Sequence, residues 1–129
     1  MSDLITPRKE VVAGHFAPEP FKNYAWAELE QFRPWIDGVC FNPACSEVFD
    51  KNRDWQVYCC TACETAGTNE ARKWGHKMAM PLLIHRMGKY AADGTAQKAL
   101  TTAARRYVTR VQSEWLADRG RRIEGVNKS

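Results

Sequence analysis

The chain has 129 residues, 44% hydrophobic and 26% charged, with a formal net charge of +4, a composition that fits one compact domain or a small module fused to a helical one. No apolar run approaches the ~18 residues of a membrane helix, and the N-terminus, Met-Ser-Asp-Leu-Ile-Thr-Pro-Arg-Lys, has no apolar signal segment, so no membrane partner and a cytoplasmic location are expected. The charge is divided: residues 1–64 hold six Lys/Arg against ten Asp/Glu, net −4, and residues 65–129 hold thirteen against five, net +8.

Residues 1–37 are expected to form an N-terminal arm and a helix. Pro7, Gly14, Pro18 and Pro20 punctuate a stretch without period, so residues 1–20 should be irregular, anchored by Val11, Val12 and Phe16. His15 lies there as a surface residue. From Phe21 to Phe32 the spacing of Phe21, Tyr24 or Ala25, Leu29 and Phe32 suits an amphipathic helix that Pro34 ends. Its aromatics, with Trp26, Trp35 and Ile36, would supply the core that a small cysteine-rich module cannot build alone.

All five cysteines fall between positions 40 and 63. Cys40 and Cys45 flank Asn42-Pro43, a turn-forming pair that can aim both sulfurs at one point. A strand-like run, Asp54-Trp55-Gln56-Val57-Tyr58, then leads into Cys59-Cys60-Thr61-Ala62-Cys63. If a helix begins near Thr61, Cys59 and Cys63 lie one turn apart and point to one side. Two thiolates from a turn and two from a helix start make the tetrahedral sulfur set of a structural Zn²⁺ site. An odd cysteine count in a chain expected to be cytoplasmic favours metal over disulfides. Periodicity selects Cys59 as the third ligand, with Cys60 as a free thiol, although the reverse assignment stays open.

The pattern C-x-N-P-x-C, then Val48-Phe49, a polar loop, and Trp55-x-x-Tyr58-Cys59-x-x-x-Cys63 resembles the small treble-clef zinc fingers of bacterial and phage proteins, over about residues 40–73. The resemblance implies a knuckle, a β-hairpin and a helix carrying the last ligands, over residues 38–67, with Cys40, Cys45, Cys59 and Cys63 on zinc. Cys60 stands where that pattern usually has serine. Some treble-clef proteins are metal-dependent nucleases, but the segment Val48 to Tyr58 contains no histidine to serve as their base. No other catalytic set stands out, and His76 and His85 read as surface residues, so the chain is not expected to be an enzyme.

Residues 68–118 read as a helical hairpin. The helix should pause at Gly67 and restart with Thr68 or Asn69 as cap. Trp74, Met78, Leu82, Leu83, Met87 and Tyr90 then recur at helical spacing, with a kink or break at Pro81. Gly94 and Thr95 mark a turn and a new cap. The last helix, about Ala96 to Asp118, carries Leu100, Ala104, Tyr107, Val108, Val111 and Trp115 as one stripe, with Lys98, Arg105, Arg106 and Arg110 on the other side. Residues 119–129, including Arg119, Arg121 and Arg122, should form a basic flexible tail.

The expected fold is therefore mainly α, a zinc-stapled β-hairpin beside a helical hairpin. The +8 half points to an anionic partner, DNA in preference to RNA, held by Lys98, Arg105, Arg106, Arg110, Arg119, Arg121 and Arg122 in a regulatory, phage-like binding protein. The alternative is an adaptor or inhibitor that docks on a nucleic-acid-processing protein complex through tryptophans and arginines. The oligomeric state is left open by the sequence.

Overall fold

A computed structural model describes residues 18–127, so the expected arm with Val11, Val12, Phe16 and His15 lies outside the described residues. The chain divides into two compact units, one ending at Pro34 and the other starting at Trp35.

In the first unit the expected single helix is two short ones, α1 (Phe21–Tyr24) and α2 (Trp26–Gln31). Ala25, with φ −103° and ψ 27°, separates them. Ala25 and Leu29 are the buried pair, while Phe21, Tyr24 and Phe32 of the expected stripe are exposed. Phe32 is extended and ends α2 two residues before Pro34, and the restriction on the residue preceding a proline keeps Arg33 from resuming the helix.

The second unit is dominated by α3 (Thr61–Met87) and α4 (Ala96–Asn127), which pack against each other. Helix α3 starts at Thr61 as expected, without the expected pause at Gly67 and without a break at Pro81. A glycine inside a helix costs about 1 kcal/mol, and a proline about 3 kcal/mol through its missing N–H and ring clash. Against this, each large apolar side chain buried in a core contributes about 1.5–3 kcal/mol. Trp74 and Met78 lie in the same helix, buried with Val108, Val111 and the flanking Trp115. Burial along the helix outweighs two local breakers.

Gly67 also has a packing reason. A Cβ there would collide with the Tyr58 hydroxyl and ring, so glycine allows Tyr58 to lie across the helix. Thr68, one of the expected caps, instead donates its hydroxyl to the Glu64 carbonyl at 3.2 Å within the continuous helix.

The turn between the helices forms as its residues dictate. Gly94 has φ +83°, where glycine avoids the Cβ penalty. Thr95 Oγ1 accepts the Lys98 amide at 3.2 Å, capping α4.

On α4 the buried positions are Thr101, Ala104, Val108 and Val111, continued by the half-buried Trp115. Their 3-4 spacing is that of a coiled-coil seam. Leu100 and Tyr107 of the expected stripe are exposed, as are Leu82, Leu83, Met87 and Tyr90 after α3's first half. A two-helix pair offers one narrow seam, and these residues fall on its flanks. The expected tail is also different: α4 runs nine residues past Asp118, to Asn127.

The β-hairpin expectation is corrected. Among the described residues the only β pairing is an isolated antiparallel bridge between Val39 and Val48, and the strand-like run 54–58 forms no strand. The module is fixed by other means. Trp35 meets Phe41 and Trp55 edge-on at 6.4 and 6.1 Å, and Phe41 meets Tyr58 at 6.2 Å, geometry that favours ring edges against faces.

Candidate metal centre

Four sulfurs converge where the cysteine module meets the start of α3. One ligand atom from each of Cys40, Cys45, Cys59 and Cys63 lies within 4.8 Å of all the others. The local chain explains the convergence. The Asn42 side-chain oxygen accepts the Ala44 amide at 3.1 Å, and its carbonyl accepts the Cys45 and Ser46 amides at 2.9 Å each. Asn42-Pro43 thus forms the expected turn, and Ser46 takes the left-handed φ of 54° that lets the chain return. The Cys40 amide donates to the Glu47 carbonyl at 2.8 Å, and the Phe49 amide to Gly38 at 2.8 Å, closing a knuckle. The Phe41 amide then donates to Val57 at 2.8 Å, bringing the second cysteine group alongside the first.

The spacing tests whether this set suits a metal. Cys45 and Cys59 sulfurs are 3.8 Å apart, and Cys59 and Cys63 sulfurs 3.7 Å apart. A tetrahedral thiolate site with metal–sulfur bonds of ~2.3 Å has an edge of ~3.8 Å. The set fits such an ion, and a four-thiolate tetrahedron is the donor set of zinc or of iron–sulfur chemistry. Cys60 is exposed and lies outside the four-sulfur group, with its sulfur 3.7 Å from that of Cys59.

Protonation within the cluster is uneven. Burial pushes the Cys40 thiol up, but the Cys59 and Asn42 amides and the neighbouring thiols favour its thiolate, and the net direction is down. Cys59 is pushed well up, because its proton is held by hydrogen bonds to the Cys60 and Cys63 sulfurs. Four thiolates cannot share so small a volume without a cation to offset them.

Two groups orient the sulfurs from outside. The Cys59 amide donates to Cys40 Sγ, and Asn42 Nδ2 donates to Cys63 Sγ, each at 3.4 Å. Such partners commonly change metal affinity 10–100-fold. Asn42→Ala removes both the turn bond and the sulfur bond, so an approximately 10–100-fold weaker metal affinity is expected by competition with a chromogenic chelator. An unchanged affinity would show that Asn42 serves the turn alone.

A buried ion-pair network joins the cysteine module to the helices. Glu70 on α3 accepts hydrogen bonds from Trp115 Nε1 at 2.6 Å, from Arg119 Nη1 at 2.8 and 2.9 Å, and from Arg122 Nη2 at 2.9 Å. Arg119 Nη2 donates to the Phe41 carbonyl at 2.7 Å, with its guanidinium 4.1 Å over the Phe41 ring. Phe41 is the residue after Cys40, so Arg119 ties the knuckle to both helices. Burial alone would raise the Glu70 carboxyl, but the Trp115, Arg119 and Arg122 donors hold it below the usual carboxylate value.

Sequence reasoning missed this network. A lone Glu70 and a run of arginines carry no periodic signal, although an acid opposite an Arg-rich helix end is what a search for interhelical pairs would seek.

The seven basic positions named from the sequence therefore separate. Arg119 and Arg122 turn inward to Glu70, and Arg122 also pairs with Asp118 at 3.0 Å. Arg105, Arg106 and Arg110 are exposed on α4 and Lys98 is half-buried. Arg110 meets Glu114 at 3.6 Å, and Arg121 meets Asp118 at 3.9 Å. His76 is exposed and His85 half-buried. No described helix is long and apolar enough to cross a membrane.

Comparison with protein-family profiles, with curated proteins and with solved structures gives no match for this chain.

Proposed function

We propose that this chain is a non-enzymatic zinc protein that binds nucleic acid through the outward face of α4. Zinc on Cys40, Cys45, Cys59 and Cys63 would staple a treble-clef-like finger to the start of α3, and Arg119 would fix that finger on the helical pair. The metal's role in this reading is structural, since four thiolates leave it no open position for a substrate.

The observation that carries the reading is the placement of free cations. Arg105 and Arg106 enter no ion pair among the described residues, and Arg110 meets only the exposed Glu114. At about 100° per residue, Lys98 and Arg105 lie on the same flank of the helical pair as Arg86 of α3. Arg106 and Arg110 continue that surface around the back of α4. A basic surface with Glu114 as its one ion-pair partner among the described residues attracts a polyanion and keeps most of its cations available for phosphates. With no base-reading motif in view, DNA or RNA would be held mainly by its backbone, DNA being the first choice.

A salt titration of binding to duplex and single-stranded DNA and RNA tests this. Affinity should fall with salt at a log–log slope near −0.9 per phosphate contact on duplex DNA, and Arg105→Ala/Arg106→Ala/Arg110→Ala should flatten the slope by about 3. No binding at low salt would remove the nucleic-acid reading. It would favour the second one, an adaptor or inhibitor docking on a nucleic-acid-processing complex, for which exposed methionines and leucines on α3 are the supporting observation.

A further inference from the structure

The helical pair exposes a large apolar surface at the end remote from the cysteines. Met80 is 68% exposed, Leu83 58%, Met87 70%, Leu100 54% and Tyr107 44%. Met80, Leu83, Ile84 and Met87 follow the i, i+3, i+4, i+7 rule and make one stripe on α3. Leu100, Ala103 and Tyr107 follow i, i+3, i+7 on α4. Because α3 and α4 are antiparallel neighbours, both stripes fall on the same side of the pair. That side is opposite the flank of Arg86, Lys98 and Arg105.

The reason these residues cannot turn inward lies in the seam. At this end α3 and α4 meet through small residues: Gly88 and Thr101 are buried against each other, and a Cβ on Gly88 would collide with the Thr101 hydroxyl. Helices that approach so closely leave no room between them for leucine or methionine. The buried cluster of Trp74, Met78, Val108 and Val111 serves the other half of the pair. Near the turn, apolar side chains are displaced onto the flanks, most of them onto this one, while Leu82 is exposed beside Arg86 on the other.

We infer that this flank is the interface of a homodimer, in which two helical pairs pack as a four-helix bundle. The exposed side chains present on the order of 500 Å² per copy, so two copies approach the ~1,000 Å² at which an interface becomes specific. A contiguous patch of this size lies toward the upper end of what monomeric proteins leave in water, and patches of that size are often functional. A two-helix stripe is best complemented by another two-helix stripe, and a second copy supplies one by symmetry, as an isologous twofold contact requires. The flank of Arg86, Lys98 and Arg105 faces away from this contact on each copy, so association does not bury those three charges, while Arg110, three residues after Tyr107, stands at the edge of the contact.

Sedimentation equilibrium of the full zinc-loaded chain across the micromolar range tests the inference. The wild type should reach twice the chain mass, and Met80→Asp/Met87→Asp should weaken the dimer by roughly 100-fold or more while circular dichroism keeps its helical signal. Leu116→Asp, at an exposed leucine nearer the cysteine end, should leave the dimer intact. Should the double aspartate also unfold the chain, Leu100→Ser/Tyr107→Ser serves in its place and must weaken the dimer. A dimer indifferent to these changes overturns the inference. So does a wild type that stays monomeric.

Discussion

Cys63→Ser is expected to abolish tight zinc binding and to unfold the cysteine module, whereas the wild type and Cys60→Ser should each bind one zinc per chain. The expectation follows from where the module's stability resides. Among the described residues it has a single β bridge and an edge-on series of four aromatic rings, too little apolar burial for so short a segment to fold independently. In structural zinc modules the binding free energy, about 10–16 kcal/mol in finger peptides, is the folding free energy. Removing one of four thiolates also leaves the remaining three crowded and only partly compensated. Metal content per chain, together with the fluorescence of Trp35 and Trp55, reads both effects at once. If Cys60→Ser loses the metal and Cys59→Ser keeps it, the third ligand is Cys60 and the geometry around Cys59 has been misread.

Glu70→Gln should cost about 3 kcal/mol of folding stability, the second-largest expected effect. Glu70 is 8% exposed and Arg119 17% in their side chains, so neither charge is well screened, and removing one partner of a buried pair typically costs 3–5 kcal/mol. The lower end applies because Arg122, 32% exposed, can turn toward water. Since Glu70 titrates below its ordinary value of 4.5 in the folded chain, its contribution is present above that value and is lost as pH falls through the folded one. Urea unfolding of wild type and variant should therefore differ at neutral pH and converge on acidification. A difference under 0.5 kcal/mol at neutral pH would mean that the network positions the knuckle without stabilising it. Replacing the pair together, as Glu70→Leu/Arg119→Met, should recover much of the loss, because matched apolar groups avoid desolvating charge.

Both experiments concern the same junction. The four-sulfur cluster fixes the chain near Cys40, and one residue later Phe41 receives the Arg119 guanidinium on its ring and at its carbonyl. Arg119 in turn answers to Glu70, and Glu70 to Trp115. Loss of metal should therefore loosen the Trp115 end of α4 as well as the knuckle. The helical pair retains its own cluster of Trp74, Met78, Val108 and Val111, so its far half should stay helical.

Local chemistry made several features readable in the sequence. Asn42-Pro43 forms a turn whatever surrounds it, because the asparagine side chain bonds its own backbone two residues on. Thr95 caps α4 and Gly94 supplies the positive φ before it, again through bonds within a few residues. The four-cysteine cluster was legible from turn geometry and helical spacing, and the seam from Ala104 to Trp115 from periodicity alone.

What depended on distant contacts was misread. Gly67 and Pro81 are breakers by propensity, yet α3 continues through both because packing against α4 outweighs about 4 kcal/mol of local cost. Leu100 and Tyr107 fit an apolar stripe, but a pair of helices meeting at Gly88 and Thr101 has room for only a narrow one. The sequence by itself determined where α3 and α4 begin, the turn between them and the pairing of Cys40 with Cys45 and of Cys59 with Cys63, since those rest on bonds spanning a few residues. Only the tertiary structure decided that Arg119 and Arg122 belong to Glu70 rather than to a basic tail: with about fifty residues between acid and base, a buried carboxylate takes the nearest cations in space, and sequence distance has no part in that choice.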